Sequence, residues 1–280
     1  MEKHAIIVPK GIRYISDWDK LEEGKRLKDQ LPQVGQYIMN KTITGCGYTE
    51  YWITNELPAI ICSPRLILLE NKEDQHKEDE NVLYLKNEYE SIIYDKDISR
   101  EGSDKEKLSD LSDDYTREIQ KKIRDHIDYC YFKLHRSPKF LVTYDSFRRI
   151  KDELKESINN YQIVVDEFQS IFTDSRFKSD TENNFLYNLQ GLSKVCYLSA
   201  TPMMDKYLEM LPEFKDLPYY ELDWSTEDEN RIIKPYLKTK QVKNLLSEVY
   251  RIINQYQSGD FERLVKEKED GTFEEVYSKE

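Results

Sequence analysis

"YQIVVDEFQSIF", residues 161–172, is the clearest buried strand in the sequence, and its apolar run ends on two adjacent acids, Asp166 and Glu167. A short apolar, β-branched run of this kind fits a strand covered on both faces. In an open parallel sheet the carboxyl end of such a strand borders the crevice where ligands bind. An acid there can hold a magnesium ion through water, and its neighbour can polarise an attacking water. Taken alone, the segment fits equally well a strand capped by two solvated carboxylates, so its surroundings must decide.

Outward from this strand the chain alternates strand-like and helix-like pieces, the pattern of a parallel sheet covered by helices. "QYIMN" (36–40) leads into the Gly-rich "NKTITGCGYTE" (40–50), and "YTEYWITN" (48–55) follows with helical spacing. The order is strand, loop, helix. "PAIICSP" (58–64), "NVLYLK" (81–86), "PKFLVTYDSF" (138–147) and "KVCYLSATPMM" (194–204) read as further strands, and "RLILLENKEDQHK" (65–77) turns helical. Residues 96–114, charged and Ser-rich, read as a solvated insertion; Ile119, Ile123 and Ile127 mark a helix from about Tyr115 to Phe132.

Apolar residues make up 38% of the 280 and charged residues 34%, a balance that supports a folded core and excludes a disordered chain. No apolar run is long enough to span a membrane, and "AIIVP" is too short for the apolar part of a signal peptide, so a cytoplasmic protein is expected. The formal charge of −12 argues against a surface coated for nonspecific DNA binding, though not against a local basic groove. Cys46, Cys62, Cys130 and Cys196 lack metal-ligand spacing and read as buried thiols. Beyond Trp224 the composition shifts: residues 226–280 read as a connector with a helical stripe (Val242, Leu245, Leu246, Val249, Ile252, Ile253) and a charged tail with a turn signal at Asp270-Gly271. Residues 1–225 therefore read as one domain.

Three segments taken together resemble the superfamily 2 helicases, the DEAD/DEAH-like translocases. "TITGCGYT" (42–49) resembles motif I, "DEFQ" (166–169) motif II and "SAT" (199–201) motif III, in family order and each at the end of an apolar run. The resemblance covers about residues 36–205 and implies a RecA-like α/β domain, with a mainly parallel sheet and helices on both faces. It further implies a fold that binds ATP and Mg²⁺ and acts on DNA or RNA, with a second RecA-like domain expected beyond residue 280 and no membrane partner. Carried across, Thr44, Gly45, Cys46, Gly47, Tyr48, Thr49 and Glu50 would form the nucleotide loop. Thr49 and Asp166 would hold the metal, and Glu167 would act as general base beside Asp166. Ser199, Ala200 and Thr201 would couple the nucleotide site to nucleic acid. Pro64 and Arg65, and Thr143, Tyr144 and Ser146, resemble the family's contacts to nucleic-acid phosphates.

One position departs from the pattern. The family has Lys where this chain has Tyr48, and a phenol with a pKa of about 10 supplies no positive charge at neutral pH. Lys41 and Lys72 lie nearby in sequence, but the expectation is that neither reaches the site. No arginine-bearing later motif precedes Glu280, so the chain alone is expected to be a poor ATPase. The alternative is an ATPase-deficient, helicase-like scaffold that binds nucleic acid or a protein partner. Gln30, Gln33 and Gln36 are equal candidates for adenine recognition.

Overall fold

In the computed structural model eight strands among the described residues form one sheet: β1 (Lys3–Ile7), β2 (Gly35–Asn40), β3 (Ala59–Ser63), β4 (Val82–Leu85), β5 (Lys139–Thr143), β6 (Gln162–Asp166), β7 (Lys194–Ser199) and β8 (Tyr219–Asp223). Their order is β1-β8-β2-β7-β6-β3-β5-β4, and every neighbouring pair is parallel. The structure describes residues 3–21, 24–32, 34–87, 89, 92, 105–173, 175–200, 208–209, 211–225, 263–267 and 273–277.

Alternation along each strand divides the buried side chains between two cores, as a period of two requires. Ile60, Cys62, Phe140, Val142, Ile163, Val165, Val195 and Tyr197 enter one core. Ala59, Ile61, Leu141, Val164, Cys196 and Leu198 enter the other. The first face is covered by the helices α3 (Lys105–Tyr129), α4 (Phe147–Leu154) and α5 (Ser175–Leu189), through residues such as Ile119, Ile150 and Leu189. The opposite face is covered by α1 (Tyr48–Thr54), α2 (Leu66–Gln75) and the segment around Ile15, Trp18 and Leu27. This is the α/β, RecA-like arrangement expected from the sequence, with helices on both faces.

Two parts differ from expectation. The supposed solvated insertion is helical from Lys105, because the buried stripe begins at Leu111 and Tyr115 and continues every fourth residue through Ile119 and Ile123. Residues 96–104 lie outside the described residues. The outer strands β1 and β8 were not foreseen: β1 opens on Lys3-His4 and buries only Ile6 of its apolar residues, and in β8 Tyr220 and Glu221 separate the buried Tyr219 from the buried Leu222.

At the amino end of β5 a lysine is enclosed completely. Lys139 is 0% exposed, and its Nζ donates to Trp52 O (2.8 Å), Asn55 Oδ1 (2.7 Å) and Leu57 O. It thereby ties the end of α1 and the turn after it to the sheet.

The chain divides into two compact units, residues 1–231 and 232–280. In the second, β9 (Arg263–Glu267) and β10 (Phe273–Tyr277) pair antiparallel, with Phe273 opposite Glu267 and Tyr277 opposite Arg263. The Asp270-Gly271 turn signal and the expected connector helix over 242–253 lie outside the described residues. Among the described residues no helix is long and apolar enough to cross a membrane.

Candidate functional site

Strands β2, β7 and β6 lie side by side, and their register aligns Asn40 with Ser199 and Asp166 with Leu198. The loop after β2 and the two acids after β6 therefore emerge from the same carboxyl edge, separated by one strand. Lys41 N donates to Ser199 O at 2.8 Å, continuing the β2–β7 ladder one residue into the loop. Asn40 Oδ1 then accepts from Thr42 N at 2.9 Å, and Thr42 takes a left-handed φ of 56°. A short polar side chain bonding its own backbone two residues on is a turn-forming device.

Gly45 and Gly47 also have positive φ, 68° and 78°. At Gly47 the need for glycine is twofold, since a Cβ would also come within 3.1 Å of Tyr14 Cβ and 3.3 Å of Ser16 Oγ. Ile15 N donates to Cys46 O at 2.8 Å, so the 14–16 segment braces the loop from outside. Helix α1 begins directly at Tyr48.

Both ends of this loop converge on Asp166. Thr49 Oγ1 donates to Asp166 Oδ2 at 2.9 Å, and Lys41 Nζ lies 3.3 Å from Asp166 Oδ1 and 3.6 Å from Glu167 Oε1. Lys41 is 7% exposed. Burial on its own would lower the Lys41 pKa, but the carboxylates of Asp166 and then Glu167 outweigh it and hold the amine above its ordinary value. The expectation that Lys41 stays away from the site is thus corrected. Lys72 also lines the cleft, but it is engaged by Glu50 Oε2 at 2.6 Å and Gln75 Oε1 at 2.9 Å.

Tyr48 turns the other way. It is 1% exposed within the core of the α1 face, where burial pushes its phenol well above the usual range and keeps it neutral. Its ring therefore serves packing, while its backbone stays in the wall of the cleft. That cleft, about 420 Å³, is lined by Tyr14, Ser16, Lys41, residues 45–50 and Lys72.

Glu167 is set by its backbone as much as by its neighbours. Its φ of 54° is uncommon for a residue with a Cβ, and Glu167 N donates to Asp166 Oδ1 at 3.0 Å. Gln169 Nε2 donates to Glu167 Oε2, and Phe168 N donates to Leu198 O at 3.2 Å, returning the turn to β7. From the other side Tyr144 Oη donates to Asp166 O at 2.7 Å, with its ring stacked on Phe185 at 4.2 Å. Two neighbouring elements thus hold the acid pair in position.

Glu50, next to Thr49, forms ion pairs with Lys72 and, at 2.9 Å, with His76. Contact with His76 and then with Lys72 draws its carboxyl down to about 2, and the same contact raises His76. Cys46 is buried at the loop, and burial pushes its thiol up, which disfavours a nucleophilic thiolate.

Thr44 and Gly45 are exposed at the loop tip, while Ser199 is buried and accepts from Lys41 N through its carbonyl. Ala200 follows Ser199 at the strand end; Thr201 and Gln33 lie outside the described residues. Of the five residues matched to nucleic-acid contacts, Arg65 is exposed, Pro64 is partly buried, and Thr143, Tyr144 and Ser146 are buried. Thr143 Oγ1 donates to Ser146 Oγ at 3.1 Å inside the fold. Tyr14 and Ser16 were not foreseen at the site, and Thr42 was matched to motif I without a role. Thr42 Oγ1 donates to Leu222 O, and only the polar turn "NKT" hinted at such a role.

Among the described residues no group of three or more His, Cys, Asp or Glu side chains could hold a metal. A single carboxylate beside a hydroxyl, as in Asp166 and Thr49, suits a magnesium ion that takes its remaining ligands from phosphates and water. Compared with known proteins, the chain matches no family model and no curated protein.

Proposed function

We propose that the chain contains the first motor domain of an ATP-dependent nucleic-acid helicase or translocase. The observation that carries this reading is the meeting of Thr49 with Asp166, and of Asp166 with Glu167, at the carboxyl edge of two parallel strands that flank β7. Such an edge is where open α/β sheets take ligands, and one hydroxyl with two carboxylates is the polar equipment that phosphoryl transfer to water requires.

In this reading Gly45 and Gly47 allow backbone amides to approach the triphosphate without obstruction by a Cβ. Thr49 and Asp166 hold Mg²⁺, which when bound neutralises charge on the phosphates. Glu167 orients the attacking water and accepts its proton, with its carboxylate steadied by Gln169 and its backbone by Asp166. Ser199 joins this site to the strand between loop and acids through its carbonyl. Arg65, exposed just after β3 at the same sheet edge, serves as a nucleic-acid phosphate contact, and the buried Thr143, Tyr144 and Ser146 shape the turn beside the acids.

The test is nucleic-acid-stimulated phosphate release by the full-length protein. Glu167→Gln is expected to lower release by a factor on the order of 10² or more while Mg-dependent ATP binding persists. Unchanged release in that variant would overturn the assignment. A second reading, an ATPase-deficient scaffold for nucleic acid or a protein partner, is favoured by the burial of Tyr48 at the position of the family lysine. It predicts no Mg-dependent ATP binding to residues 1–280, whereas the motor reading predicts binding in the micromolar range.

A further inference from the structure

We propose that Lys41 supplies to the nucleotide phosphates the positive charge that Tyr48 does not, an inference that rests on the ATP-site reading above. The loop folds so that its first and last polar side chains share one carboxylate: Lys41 at Asp166 Oδ1, 3.3 Å, and Thr49 at Asp166 Oδ2, 2.9 Å. Lys41 and Thr49 are far apart along the loop, but the left-handed residues Thr42, Gly45 and Gly47 turn the backbone back on itself. The ammonium thus reaches the carboxylate that Thr49 also holds, although its Cα lies at the opposite end of the loop.

The backbone of Lys41 is held from both directions. Its N–H is bonded to Ser199 O at 2.8 Å, and its carbonyl accepts from Trp224 Nε1 at 3.3 Å. A long cationic side chain on so fixed a base loses less freedom when it grips a ligand. Its present partners are the two carboxylates assigned to metal and water. Once those carboxylates are engaged by a magnesium nucleotide, Lys41 gives up counter-ions on one side and gains phosphate oxygens in the cleft it already lines.

Lys72, the other cation along the cleft among the described residues, is less suited to the task. It is held by Glu50 and Gln75, and its carboxylate partner is not one of the acids the reaction employs. Recruiting it would leave Glu50 to His76 alone.

The test combines affinity with covalent labelling on the whole chain. Binding of Mg-ATP and of AMP is measured by calorimetry for the unmodified protein, Lys41→Met and Lys41→Arg, with melting curves for each. In parallel, the unmodified protein is treated with an acyl-phosphate of ATP, which transfers its acyl group to the lysine amine nearest the terminal phosphate and releases ATP; mass spectrometry finds the labelled residue. Expected are a label on Lys41, ATP binding weakened about 10- to 100-fold in Lys41→Met, a smaller loss in Lys41→Arg, and AMP affinity nearly unchanged. A label on Lys72 or on neither lysine, or ATP binding by Lys41→Met equal to the unmodified protein, overturns the role of Lys41 and leaves the ATP site standing. Failure of the unmodified protein to bind Mg-ATP overturns both. Should Lys41→Met not fold, Lys41→Arg and the labelled residue of the unmodified protein decide.

Discussion

Two lysines enclosed at opposite edges of one sheet show how differently the same side chain can be used. Lys41, at the carboxyl edge, faces two carboxylates beside an open cleft, and its pKa is held above the ordinary value after burial has pulled against it. Lys139, at the amino edge, faces two carbonyls and an amide oxygen, with no carboxylate in contact among the described residues, and burial draws it down to about 7. The three acceptors around Lys139 match the three donors of an ammonium and are fixed parts of the fold. The partners of Lys41 are groups that a metal or a water can claim. A lysine ringed by fixed neutral acceptors is structural, whereas one paired with exchangeable charge is available to a ligand.

The sharpest way to break this contrast is Lys139→Met. Removing the amine leaves the acceptors at Trp52, Asn55 and Leu57 without their donor, and a loss of about 3 kcal/mol is expected, measured by denaturant unfolding. Lys41→Met should cost less stability, because its acids border the cleft and water can solvate them. If the two variants unfold alike, the contrast fails.

The pH dependence tests the same point with a smaller effect. Lys139 has a folded pKa of about 7 against 10.5 for the free side chain, so between these values the unfolded chain binds a proton that the folded chain does not. Stability from this group therefore rises with pH across that window and is flat below it. The difference in stability between unmodified protein and Lys139→Met should accordingly grow from about pH 7 to about pH 9. Lys41, with its folded pKa raised, contributes stability that is present at neutral pH and is lost only when pH passes that raised value. A difference between unmodified protein and Lys139→Met that stays constant with pH would count against a depressed amine at Lys139.

The smallest effect concerns the cluster of Glu50, Lys72 and His76 beside the cleft. Glu50, lowered to about 2, contributes above its unfolded value of 4.5 and loses this contribution as pH falls towards 2. His76, raised from 6.5, contributes below that value and loses it as pH rises through its folded pKa. Their pairing is thus strongest between about 4.5 and 6.5. Glu50→Gln should cost about 1 kcal/mol near pH 5.5 and less at pH 9, as the thermal midpoint would report. A loss as large at pH 9 as at pH 5.5 would assign Lys72, not His76, as the partner that matters.

The central strands were legible in the sequence because each is covered on both faces and so carries an unbroken apolar run; β6, with "QIVVD", is the plainest. β8 was not, because Glu221 interrupts its run, and β1 was not, because it is a short strand at the sheet edge with Ile6 alone buried. The helix of residues 105–129 was legible only in its second half, since its first turns are charged and the stripe begins at Leu111. At the site, Asp166 and Glu167 were named from the strand end they close, and the loop and Thr49 from the resemblance of their motif. The inward turn of Tyr144 could not: it depends on Phe185, a residue of a helix distant in sequence that supplies a stacking face.

By itself, then, the sequence determined where strands end and where the chain can turn, because burial and glycine conformations act over a few residues. Which charge meets which was decided only by the tertiary structure. The register that sets Asn40 beside Ser199 and Asp166 beside Leu198 brings two segments into contact that lie far apart along the chain. The left-handed turns between them then choose Lys41 to face the acids while Tyr48 enters the core. Charge acts through space over a few ångströms, and distance along the chain does not reveal it.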